Sequence, residues 1–137
     1  MGGLAAAVVF TWFGMVAAIS FLETPLKFRA PGITVPLGLG IGRLVFRALN
    51  IAETVLAVIL LTALATGHPD GRAWMPAVIA TACLVIQMAL LRPPLDRRAV
   101  AVITGGDVAP SRLHLGYIAL EVIKALTLLT AGALSVA

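Results

Sequence analysis

The sequence predicts an all-α integral membrane protein, a four-helix bundle made of two similar helical hairpins in parallel orientation. Three observations carry this. Four apolar runs, 4–22, 39–66, 73–91 and 113–135, fill most of the 137 residues, and each approaches or exceeds the roughly 20 residues that cross a hydrocarbon core about 30 Å thick. Charged residues make up only 12% of the chain and the mean hydropathy is +1.07, whereas a soluble domain typically carries about 25% charge. The runs are also joined by short polar segments, which leaves one transmembrane domain over residues 1–137 and no second domain.

The first run follows Met1-Gly2-Gly3 without a basic residue, so it reads as a retained span rather than a cleaved signal. Trp12 and Trp74, in or near the outer parts of runs one and three, read as interfacial anchors. Gly38, Gly40 and Gly42, around the start of the second run, are small residues that permit close helix approach. The third carries Thr81, the only cysteine (Cys83) and Gln87; one thiol gives neither a disulfide framework nor a thiolate pair for a soft metal. In the first loop Pro31-Gly32 and Pro36 are expected to delay the second helix. After run three, Leu95 to Thr104 is expected as a separate short helix at the interface, with a turn at Gly105-Gly106-Asp107 and Ser111 capping the fourth span.

Charge placement sets orientation. Lys27, Arg29 and Arg43 surround loop one and Arg92, Arg97, Arg98 and Arg112 surround loop three, while Gly67 to Arg72 holds only Arg72. The positive-inside rule puts loops one and three in the cytoplasm and both termini outside, in a plasma (inner) membrane. The net charge of +4 is thereby explained by orientation and by anionic headgroups as partners, without nucleic acid. Arg29, Arg43, Arg98 and Arg112 form a candidate cytoplasmic basic ring.

A shift of 69 residues places Pro25-Leu26 on Pro94-Leu95, Arg29 on Arg98 and Arg43-Leu44 on Arg112-Leu113; a shift of 68 places Glu53 on Glu121. Sparse Pro, Arg and Glu coincide by chance less often than Leu does, so the halves read as a duplicated hairpin, an arrangement some transporters use with sites at the repeat interface.

The candidate site is polar and lies within the spans. Arg47, Asn50 and Glu53 follow Arg43 at spacings of four, three and three, and His114, Tyr117, Glu121 and Lys124 at three, four and three, each set on one helical face. At 1.5 Å per residue Arg47 and Glu121 lie roughly 12–14 Å into the spans, and Lys124 and Glu53 deeper. Lone charges there cost about 2.5–3.5 kcal/mol on insertion scales, so the sequence predicts two neutral pairs, Arg47 with Glu121 and Glu53 with Lys124, and contact between spans two and four. The set serves either to lock helix register or to line a polar centre for an anion, a proton or a small amphiphile. No cofactor is expected: His114 and His68 lie in opposite halves of the membrane and cannot share a haem, which leaves haem or metal through His114 alone as the alternative.

Trp12-Phe13-Gly14, Phe21 and Pro25, Gly42-Arg43-x-x-Phe46, and Leu113-His114-x-x-Tyr117-x-x-x-Glu121-x-x-Lys124 resemble small four-span proteins of the TMEM205-like and DUF4149 type, and more loosely the membrane domain of CopD-like proteins. That resemblance implies a four-helix bundle and a role in metal or drug tolerance. The chain lacks the Cys, Met and His clusters that carrying copper would need. The expected function is non-enzymatic transport or permeation of a small solute or ion by a homo-oligomer. The alternatives are an accessory subunit of a larger membrane complex and an intramembrane enzyme or cofactor binder.

Overall fold

The computed structural model describes residues 2–67, 71–109 and 111–136. Four helices in it are long and apolar enough to cross a membrane: α1 (Gly3–Lys27), α2 (Val35–Gly67), α3 (Gly71–Ile103) and α4 (Leu113–Val136). Side chains fix how they pack. Trp12 reaches Glu53, and Phe28 lies against Gly38, so α1 and α2 are antiparallel neighbours. Ser20 bonds Glu121, and a Cβ on Gly132 would lie 2.6 Å from the Phe10 ring, so α1 also runs antiparallel to α4. Thr54 touches Met88 and Arg43 faces Asp96 between α2 and α3; Gln87 and Arg92 meet the first half of α4. Helices consecutive in the chain therefore pack together, α1 and α4 close the ring, and α2 faces α4 across the diagonal. The sequence predicted that these two would touch. Their backbones stay apart, and only long side chains bridge the gap.

The apolar core consists of Val9, Trp12, Val16, Leu60, Leu64, Leu84 and Leu128 with Ala73, Ala77 and Ala80. The three alanines recur along one face of α3 and let α4 approach closely. Leu44, Val58, Leu90 and Leu126 point outward. This apolar outer surface is costly in water and inexpensive in lipid. Trp12 is fully buried, so it does not act as an interfacial anchor; a ring placed at a helix–helix seam gains more from burial than from the interface. Trp74 is partly buried against the core.

Both α2 and α3 run 33 residues, near 50 Å at 1.5 Å per residue, which exceeds a hydrocarbon core. α2 begins at Val35, with Pro36 in its first turn where a missing N–H is tolerated. It is thus not delayed by Pro36 as the sequence predicted, and the first loop turns through bonds from Arg29, Ala30 and Ile33 N–H, with Gly32 at φ 79°. The separate interface helix is likewise absent, because Arg92–Ile103 continues α3 without a break. Continuity survives Pro93-Pro94 through a wide π turn at Gln87–Leu91, closed by the Arg92 N–H on the Gln87 carbonyl. A second π turn, Ala17–Glu23, precedes Pro25. Proline removes the donor that would satisfy the carbonyl four residues earlier, and those carbonyls fall inside the two π turns. Gly105, at φ 89°, makes the predicted turn, and the Ser111 hydroxyl accepts the Leu113 N–H at 3.1 Å.

Candidate functional site

Two polar regions lie one above the other along the bundle axis. The deeper is built on Lys124, which is fully buried. An ammonium has three donors, and all three are used: Glu121 Oε1 at 2.5 Å, Glu53 Oε2 at 2.6 Å and Gln87 Oε1 at 2.7 Å. Glu121 accepts further bonds from Gln87 Nε2 at 2.9 Å and from the Ser20 hydroxyl. Glu53 accepts from the indole N–H of Trp12 at 2.7 Å. Every helix contributes: α1 gives Trp12 and Ser20, α2 Glu53, α3 Gln87, and α4 Glu121 and Lys124. Ser20 and Gln87 both project from the π turns, where the widened backbone turns these side chains inward.

The sequence foresaw the pairing of Glu53 with Lys124 and the shared face of Tyr117, Glu121 and Lys124. Its other pair does not form. Arg47 is exposed on the outside of α2, and Lys124 takes its place beside Glu121. The reason is angular: Leu49, Asn50, Glu53, Ala57, Leu60 and Leu64 form the buried stripe of α2, and Arg47 lies on the flank of that stripe. Lys124, three residues from Glu121 on one helix, reaches it without crossing the bundle. The centre is therefore two carboxylates around one ammonium rather than two neutral pairs. Asn50 is buried beside it, with Oδ1 unpartnered, as is Oε1 of Glu53.

The second region is a cavity of about 710 Å³ between the projecting ends of the helices, with Glu121, Ser20 and Tyr117 among the residues that line it. Its walls are apolar, and its cations are Lys27, Arg43, Arg92 and Arg98, with His114 also on the lining. The Arg92 guanidinium lies over the rings of Tyr117 (4.6 Å) and Phe46 (5.0 Å), which meet edge to face. Ion pairs here are long: Lys27–Glu23 3.6 Å, Arg43–Asp96 3.7 Å and Arg92–Asp96 3.9 Å. Arg98 donates to the Ala109 carbonyl. Of the four arginines expected as a basic ring, Arg43 and Arg98 line the cavity, whereas Arg29 and Arg112 are exposed and do not. His68 lies outside the described residues. Among the described residues no three His, Cys, Asp or Glu side chains gather as a metal set.

Trp12, Ser20, Gln87 and Arg92 are the participants that sequence reasoning missed. One signal was available: Gln87, Ser20 and the indole N–H are polar groups inside apolar runs, and a buried donor or acceptor needs a partner.

In comparisons with known proteins, no family model, no curated protein and no solved structure matches the chain.

Proposed function

We propose that this chain is a membrane-embedded permeation protein, which binds a small solute in the cavity and passes it by the centre formed by Glu53, Lys124 and Glu121. One observation carries the reading: the cavity ends on Glu121, a carboxylate that Lys124, Gln87 and Ser20 hold in place. A bundle stabilised only by packing has no need of a hollow that leads to its buried charges. Ionisable groups within spans commonly mark solute or ion paths, and the volume lies inside the roughly 300–1,000 Å³ typical of ligand sites.

In this reading the basic end, with connections 28–34 and 104–112, faces the cytoplasm of the inner membrane and both termini lie outside. Arg29 and Arg112 meet anionic headgroups. The chain is a duplicated hairpin whose halves are parallel, and the π turns support this: a shift of 69 lays Ala17–Glu23 over residues 86–92, which hold the second π turn. Two matched wide turns, each feeding one polar side chain to the centre, are what a doubled hairpin with a site between its halves would keep. At 14.2 kDa a complete path through the membrane requires several copies, so the working form is a homo-oligomer.

The test is uptake by proteoliposomes of a solute panel: carboxylates of increasing chain length, phosphate, methylammonium and protons. At least one solute should enter faster than into protein-free vesicles. Glu121→Gln, which keeps an acceptor for Lys124 and offers Ser20 an amide NH2 that its hydroxyl can turn to accept, should abolish that uptake while the protein still inserts as a folded helical bundle. Uptake no faster than that of empty vesicles across the panel refutes the proposal.

A further inference from the structure

We infer that the cavity takes a single-chain anionic amphiphile, with its carboxylate or phosphate head on Arg92 and Tyr117 and its chain against the aromatic wall. This names the solute class for the permeation reading and rests on that reading.

Two buried polar atoms belong to residues on the cavity lining and have no acceptor: the hydroxyl of Tyr117, whose residue is only 5% exposed and whose polar neighbour Arg92 can only donate, and Nε of Arg92. Buried donors without acceptors are costly. Tyr117 and Arg92 are held together, the guanidinium 4.6 Å from the phenol ring, so a single acceptor group can meet both. Arg92 has no close acid of its own, because Asp96 is 3.9 Å away and is shared with Arg43. Four cations around the cavity (Lys27, Arg43, Arg92 and Arg98) stand against Glu23 and Asp96, both in long pairs. The centre behind Glu121 carries one uncompensated negative charge, because Lys124 is shared with Glu53, and this reduces the surplus without removing it. The head group that fits therefore brings acceptors and negative charge. Guanidinium suits both carboxylate and phosphate in this role.

The remaining lining sets the other half of the ligand. Phe21, Phe28, Phe46, Leu95, Val102 and Ile118 give the wall a broad apolar surface. A free inorganic anion would leave that surface uncovered, whereas an alkyl chain gains roughly 0.8 kcal/mol for each methylene buried.

The protein is assembled in phosphatidylcholine nanodiscs and titrated with radiolabelled palmitate and, separately, with a lysophosphatidate of the same chain length. Saturable binding of either at one per chain is expected, and the tighter of the two identifies the head group. Hexadecanol should bind at least tenfold more weakly, since a hydrogen bond to a charged group is worth about 1.5–3 kcal/mol. Tyr117→Phe removes a hydroxyl that has no acceptor in the protein and keeps the ring under Arg92, so the fold should persist while affinity for the anion falls about tenfold. Arg92→Gln should weaken it further, and hexadecanol should not respond to either change. Equal affinity for hexadecanol, displacement of palmitate by inorganic phosphate at equal concentration, or Tyr117→Phe and Arg92→Gln both binding as the parent does would overturn the inference. Uptake of another solute by the same preparations without amphiphile binding would refute this inference alone. Binding without any uptake would refute permeation and leave the site standing.

Discussion

The middle of the bundle and its basic end hold similar residue types on different terms. Around Lys124 the contacts are 2.5–2.7 Å, each ammonium proton has its own oxygen, and the side chains are buried. At the basic end the pairs stretch to 3.6–3.9 Å, one carboxylate serves two arginines, and side-chain exposure runs from 7% at Lys27 to 42% at Arg43. The difference follows from solvent. An unpaired charge in a dry interior carries its full desolvation cost, so the centre is stable only when nearly complete. Where water or headgroups reach, loose pairs cost little and contribute little. The centre is built for a single arrangement, and the end is left open to a ligand.

The sharpest way to break this contrast is Lys124→Met. It strands Glu53 and Glu121 beside each other, and breaking a buried pair in this manner costs about 3–5 kcal/mol. Denaturant-induced unfolding in detergent, followed by circular dichroism, measures it. Adding Glu53→Gln and Glu121→Gln to that variant should recover part of the loss, because the cost is stranded charge rather than lost volume. A loss no larger than that of a surface substitution would mean that water already reaches the centre.

A smaller effect is expected from Trp12→Phe, which keeps most of the ring in the core but removes the donor to Glu53. The same unfolding measurement should show a loss of about 1.5–3 kcal/mol, the usual worth of a hydrogen bond to a charged group. An unchanged midpoint would show that Glu53 does not depend on α1. The smallest effect belongs to Arg47→Gln. This side chain is exposed and makes no ion pair among the described residues, so the unfolding midpoint should not move. A large shift there would restore Arg47 to the network and undo the separation of the two regions.

Helix number, the face shared by Tyr117, Glu121 and Lys124, and the depth match of Glu53 with Lys124 were all legible along the chain. Each depends on one helix at a time, through composition, the 3.6-residue period and the rise per residue. Arg47 shows where that reasoning stops. It matched Glu121 in depth and lay roughly in line with Asn50 and Glu53, yet depth says nothing about rotation of α2 toward its neighbours. Trp12 failed for a related reason, since its distance from the chain terminus matched an interfacial belt while its azimuth pointed into the core. Gln87 and Ser20 were visible as polar residues, but the π turns that aim them come from prolines several residues later.

Thus the sequence alone determined four apolar helices, their boundaries to within a few residues at most ends, and which residue types had to be neutralised inside them. The tertiary structure decided the partners, the diagonal placement of α2 and α4, and the cavity above Glu121. Those outcomes depend on how four helices rotate and slide against one another. That is a property of their joint packing, which the periodicity of any single helix leaves free.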